Sequence, residues 1–169
     1  NHVGKRDQLG GRSFLDGNLL AFTRSKGTDV RRISVHPRWE RPVAIETGDS
    51  FKFVFGMNTD LYHVNGLSRD GFEGSFNGFS YRAVPYTTMD WSRPLMRHSG
   101  TALQTIEPMV SVTLRPYGGN SNKIPNEDSK DLEFDETNLF SENRFSGIDR
   151  LEGGPRVSYG AKWAVMGKS

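Results

Sequence analysis

Cysteine is absent from these 169 residues, which excludes a disulfide framework and any thiolate metal site. Long apolar runs are absent as well. Nothing approaches the roughly 18 consecutive apolar residues of a transmembrane helix, and the longest clean run is Leu19-Leu20-Ala21-Phe22. Hydrophobic residues make up only 34% of the chain, and the mean hydropathy is −0.61. Low hydropathy does not exclude a membrane β-barrel, because each barrel strand gives only alternate residues to lipid. Charge of one sign is also scarce. The net charge is +2 and there is no lysine- or arginine-rich block, so nothing argues for nucleic acid as a partner.

Catalytic signatures are missing too. No nucleophile elbow, phosphate loop or dinucleotide fingerprint occurs. His2, His36, His63 and His98 are scattered without ligand spacing. Between Glu127 and Glu136, six of ten residues are acidic: Glu127, Asp128, Asp131, Glu133, Asp135 and Glu136. Such a cluster invites a calcium reading, or a glycosidase carboxylate pair. The spacing fits no EF-hand loop, so a solvated acidic loop is the expectation. No cofactor, metal or enzymatic activity is expected.

What the chain does contain is alternation. In Arg156–Met166, Val157, Tyr159, Ala161, Trp163 and Val165 take one parity, while Arg156, Ser158, Gly160, Lys162 and Ala164 take the other. An apolar, aromatic face opposite a small or cationic one suits a strand with lipid on one side and water on the other. Tyr and Trp are the residues enriched at bilayer headgroups. Glycine, Asn, Asp and Ser clusters delimit further runs: Arg12–Arg24, Val30–Glu40, Phe51–His63, Ser80–Ser92 and Thr101–Arg115. Ile33, Val35 and Trp39 share a face, as do Phe51, Phe53, Phe55 and Met57, and Tyr81, Ala83, Met89 and Trp91. Ile106, Val110, Val112 and Leu114 do the same in the fifth run. Asn65 to Phe79 reads as a glycine-rich loop, and Pro37 predicts a bulge or irregular end.

Most runs exceed the 5 to 6 residues common in soluble strands and reach the 9 to 11 of a tilted membrane strand. The expected fold is all-β, with long antiparallel strands forming an incomplete segment of a transmembrane β-barrel. The other readings left open are a porin-like channel and a soluble carbohydrate-binding β-sandwich. About six strands fall short of the roughly 8 that close a bacterial barrel, so the remaining wall is expected from sequence beyond this piece. Arg32, Arg38, Lys52, Glu107, Arg115, Arg156 and Lys162 all take the polar parity and are candidate lumen-facing groups. Guanidinium groups there would suit phosphate or carboxylate, or would simply pair with Glu40, Asp60 and Glu107 to hold neighbouring strands.

Several phrases resemble a known family. They are Asp16-Gly17-Asn18-Leu19-Leu20 with Phe22-Thr23-Arg24, then Trp39-Glu40-Arg41-Pro42, then Ile106-Glu107-Pro108 followed by a strand and Arg115-Pro116. The most specific are Ile124-Pro125-Asn126-Glu127-Asp128 with Phe134-Asp135-Glu136-Thr137-Asn138-Leu139-Phe140, and Phe145 through Gly154. Together they resemble the C-terminal barrel of the LptD family of lipopolysaccharide-assembly proteins, also called organic solvent tolerance proteins. The resemblance implies a Gram-negative outer-membrane location and lipopolysaccharide as cargo. It also implies an LptE-type lipoprotein plug and a periplasmic Lpt bridge as partners. Residues 1–169 would then be one partial barrel domain, carrying wall and a long acidic loop, 116–150, but not the lateral gate. By strand alternation that loop shares an end with 25–29 and 65–79, and this end is expected to face the cell exterior.

Overall fold

The computed structural model describes residues 1–68, 74–100, 102–129 and 138–167. Its elements are β1 (His2–Arg6), β2 (Arg12–Phe22), β3 (Asp29–Ala44), β4 (Ser50–Leu67), β5 (Phe76–Ser92), β6 (Leu95–Ser99), β7 (Ala102–Leu114) and β8 (Arg156–Gly167). All are antiparallel members of one sheet, and no helix occurs among the described residues. The ladders run β1–β2, β2–β3, β3–β4, β4–β5, β5–β7 and β7–β8, with β6 beside β7. β5 and β6 are one strand in two pieces. Ser92 opposes Met109 and Leu95 opposes Ile106, so the register is kept across the break. Pro94 lies at the break and has no N–H to give the ladder, while Arg93 still donates its backbone N–H to the Pro108 carbonyl at 3.2 Å. The result is an up-and-down meander with β1 and β8 at its ends. No ladder joins those ends among the described residues, so the sheet is open, as an incomplete barrel segment must be.

The expected runs are all present, and the differences have local causes. β4 and β5 extend into the segment expected to be loop. Gly66, at φ +74°, allows the irregularity between Val64 and Leu67 without ending the strand, and its N–H donates to Asn77 Oδ1 at 2.6 Å. Pro37 makes no bulge. Pairing to β4 lapses at His36 and Pro37, then resumes in the same register. β1 and β6 escaped the periodicity reading because His2–Arg6 has one apolar residue and β6 sits behind Pro94.

The short turns are built by aspartates that also anchor tryptophans. Asp7 Oδ1 accepts the N–H groups of Leu9 and Gly11 at 3.0 and 2.8 Å, and Asp7 Oδ2 accepts the Trp39 indole N–H at 2.6 Å. In the 45–49 turn, Asp49 Oδ1 accepts the Trp91 indole N–H at 2.9 Å. Each indole thus keeps its polar edge bonded at the short-turn end while its ring stays on the apolar parity.

Alternation sorts the side chains as expected, but solvent meets the apolar side. Tyr81 is 82% exposed, Tyr159 77% and Trp163 70%, whereas Arg82 is 4% exposed, Arg32 3% and Asp60 1%. What covers the polar face is the connection between β7 and β8. No second sheet lies there among the described residues, so the sandwich reading is not met. Ile124 from this connection packs with Val30, Tyr62, Val64 and Leu67, flanked by Phe76. Burying Ile124 and Leu151 stabilises the docked connection by about 1.5 to 3 kcal/mol each.

Candidate functional site

The site is the seam between the polar sheet face and the connection, residues 115–155. The described residues of the connection have almost no regular structure, so their backbone groups need other partners. Asparagine side chains supply them. Asn120 accepts the Leu151 N–H at 2.9 Å and donates to the Leu151 carbonyl at 2.6 Å. Asn143 accepts from Glu152 N–H and donates to the Arg150 carbonyl, at 3.1 and 2.9 Å. Asn126 brackets Ser129 in the same way, at 3.0 and 2.7 Å. Gly147 is required for the tightest approach: a Cβ there would stand 2.2 Å from Asp128 Oδ1.

Charge locks the seam. Arg32 Nη1 donates to Asp149 Oδ1 at 2.5 Å and to Asp128 Oδ2 at 2.8 Å, and Nη2 reaches Asn18 at 3.1 Å. Asp149 also accepts the Tyr62 hydroxyl at 3.0 Å and the Glu127 N–H at 2.7 Å. Arg82 binds Asp60 through Nε and Nη2 at 2.8 and 2.5 Å. It then donates to the carbonyls of Ile148 and Asp149, at 2.6 and 2.9 Å. His36 Nε2 lies 3.1 Å from Asp60 on the other side. Burial works against the Asp128 carboxylate. The Asp149 N–H, the Arg32 guanidinium and the Ile148 N–H outweigh burial and hold its pKa at about 2. Burial likewise opposes ionised Glu152, yet Arg144 and Arg156 keep its pKa below the usual carboxylate range.

Four of the seven polar-parity residues, Arg32, Arg38, Arg115 and Arg156, converge on this seam, and Lys52 borders the cavity beside it. Arg32 is described above. Arg38 pairs with Glu40 at 2.8 Å and approaches Glu142 at 3.8 Å while lying over Phe14. Lys52 pairs with Asp90 at 3.0 Å. Arg115 lies over Tyr86 and donates to the carbonyls of Glu152 and Glu142, at 3.0 and 3.2 Å. Arg156 binds Glu152 at 2.5 Å and the Ser141 carbonyl. Glu107 and Lys162 oppose each other in the β7–β8 ladder but stand apart from the cluster. The pairing with Asp60 falls to Arg82, and the arginines mostly hold the connection rather than a neighbouring strand. The solvated-loop expectation is therefore corrected for Glu127 and Asp128, which are committed to Arg24 and Arg32. Asp131, Glu133, Asp135 and Glu136 lie outside the described residues. Beside the seam, a cavity of about 510 Å³ remains, lined by Arg38, Lys52, Asn58, Tyr86, Asp90 and Glu142 among others.

Sequence reasoning missed Arg82, Tyr62 and Asp149. Tyr62 reads on the polar parity of its run without a role, and Arg82 could have been found on the polar parity of its own. Asp149 sits in a segment without periodicity and carried no signal of its own. In chemical terms the seam is a docking lock. Among the described residues, no group of His, Asp and Glu side chains is gathered to hold a metal.

A family profile described as LptD, LPS transport system D, matches residues 8–169. This chain belongs to the LptD family. It is 33% identical over 116 residues to the LPS-assembly protein LptD of Nitrosomonas eutropha, covering 64% of this chain and 15% of that protein. The protein of the same name from Neisseria gonorrhoeae is 30% identical over 170 residues, covering 95% of this chain and 19% of the relative. That of Pseudomonas putida is 26% identical over 162 residues, covering 86% and 17%. The chain thus spans less than a fifth of the length of these LptD relatives. Within the LptD family, the stretch matched here is the open sheet together with its docked connection.

Proposed function

We propose that this chain is a wall segment of an outer-membrane barrel that moves lipopolysaccharide to the outer leaflet, acting as a non-enzymatic transport component. The inverted sheet carries this reading: rings such as Tyr81, Tyr159 and Trp163 are exposed while arginines and aspartates are buried. Hydrocarbon is the surrounding that suits the first face. The apolar stretches Phe51–Leu61 and Tyr81–Trp91 each match the 9 to 11 residues of a tilted membrane strand. Unpaired backbone at β1 and β8 would cost several kcal/mol per group in lipid, so further strands of the same protein close the wall. In this reading Arg32, Arg38, Lys52, Glu107, Arg115, Arg156 and Lys162 face the interior, and the described parts of the connection, 115–129 and 138–155, fold inward as a fixed lining. The long-loop end faces the cell exterior. An LptE-type lipoprotein and a periplasmic Lpt bridge are the partners that the family relationship supports.

The test is in-cell photocrosslinking from the covered face of the full-length protein. A photoreactive residue at position 52 or 58, both bordering the interior cavity, should capture lipopolysaccharide only while transport is running. Capture that is equally strong when the periplasmic supply is cut, or no capture from either position, would contradict an interior route along this wall.

A further inference from the structure

On the outward face, Arg31 and His63 stand side by side where the apolar band ends. Across four strands, Leu19, Ile33, Leu61 and Tyr81 form one ladder row. The next row toward the loop end is Ala21, Arg31, His63 and Phe79. Beyond it the same parity turns polar, with Asp29 opposite Asn65 and with Asn77 on β5. Arg31 and His63 therefore stand on the row where apolar gives way to polar. They oppose each other directly, which places their Cβ atoms about 4.5 to 5.5 Å apart. His63 is held against Phe79, with ring centroids 4.7 Å apart. Neither makes an ion pair among the described residues, in contrast to the arginines of the covered face. Below them lies a groove of about 530 Å³ walled by Leu19, Ile33, Leu61 and Phe79.

We propose that this groove is a docking site for an anionic membrane lipid, with an acyl chain against Leu19, Ile33, Leu61 and Phe79 and the phosphate on Arg31 and His63. The planar guanidinium binds phosphate oxygens in a bidentate way, and a ring N–H of His63 adds a second donor. A phosphate draws its own acyl chain along the wall beneath it, and the groove lies on that side of Arg31 and His63. Lipid rather than a soluble anion is the occupant, because Arg31 and His63 border an apolar groove and not a polar cavity. The proposal rests on the membrane reading above and is separate from the interior route.

The experiment uses the full-length protein folded into phosphatidylcholine vesicles, with a photoreactive residue at position 21, opposite Arg31. Vesicles carry a trace of tagged phosphatidylglycerol or tagged phosphatidylcholine, and the ratio of the two adduct yields is read. Phosphatidylglycerol should be favoured, and Arg31→Gln should cut the ratio by about fivefold, the worth of one surface cation toward anionic lipid. Arg31→Lys should keep most of the preference. Equal yields in the unaltered protein, an unchanged ratio in Arg31→Gln, or loss of the preference in excess inorganic phosphate would each overturn the site. Adducts with neither lipid would bring down the membrane reading along with it, whereas equal adducts with both would sink the site alone.

Discussion

Tyr81 and Arg82 are neighbours in β5, yet one is 82% exposed and the other 4%. The same contrast recurs along β3, where Ile33 is exposed between buried Arg32 and Ser34. A protein surrounded by water sorts its strands the opposite way, because burying an aromatic ring is favourable and burying a guanidinium is costly unless it is fully partnered. Here most of the costly burial is offset. Arg32 and Arg82 between them engage three carboxylates and three backbone carbonyls, with Arg32 Nε the exception among these two guanidinium groups. The favourable burial is left undone on the other face. The difference teaches that the covered face is stabilised by this chain's own contacts, while the outer face waits for a surrounding that the chain does not supply.

Substitutions that attack one face at a time sharpen this contrast. The largest effect should come from Asp149→Ala, which strands Arg32 without its closest carboxylate and deprives Tyr62 and the Glu127 N–H of an acceptor. Breaking a buried pair from one side costs about 3 to 5 kcal/mol. The 115–155 connection should then release, read as rapid tryptic cleavage at Arg144 or Arg150 in the full-length protein. Val112→Arg on the outer face comes next. A cation among lipid-facing residues costs about 2 to 4 kcal/mol near the bilayer midplane, read as loss of heat-modifiable gel mobility after folding into vesicles. Thr105→Arg, on the opposite parity of the same strand and half-buried, should fold nearly normally. Thr113 would be a poor control, since it is buried and bonded to Thr88 at 3.1 Å. Comparable damage from Val112→Arg and Thr105→Arg would break the comparison.

A smaller effect is expected from acid. Asp128 has its pKa held below its ordinary 3.8, at about 2. A depressed carboxylate stabilises the docked connection above its unfolded pKa and loses that contribution as pH falls toward the folded one. Tryptic nicking has no use at such pH, so pepsin cleavage of the connection should rise between about pH 4 and pH 2. It should already be elevated and flatter with pH in Asp128→Asn. The smallest effect belongs to Arg24→Ala. Its pair with Glu127 is at 2.6 Å but solvent reaches 43% of the arginine side chain, and exposed pairs contribute little. Its denaturant midpoint should match the unaltered protein within error.

Parity was legible in the sequence because a sheet with two different surroundings writes them in alternate residues. Phe51, Phe53, Phe55 and Met57 stand against Asp60 and Tyr62 in the alternation of the sequence itself. Strand ends were less legible where glycine had two uses. Gly66 reads as a loop residue but serves an irregularity inside β4. The site was half legible. Arg32, Arg38, Lys52, Arg115 and Arg156 followed from parity alone. Their partners did not, because Asp128, Asp149, Asn120 and Asn143 act from irregular chain, where no period tells which way a side chain turns. An acidic, asparagine-rich stretch reads as solvated until the buried cations opposite it are known.

The most direct test of the inverted sheet is a nitroxide scan from Val157 to Val165 along β8, in the full-length protein folded into lipid vesicles. This segment has no cysteine of its own. Collision rates with oxygen should rise and fall with a period of two residues, high at 157, 159, 161, 163 and 165. Rates with a water-soluble nickel complex should stay low at those positions. High nickel accessibility at Tyr159 and Trp163, or no period at all, would contradict the account.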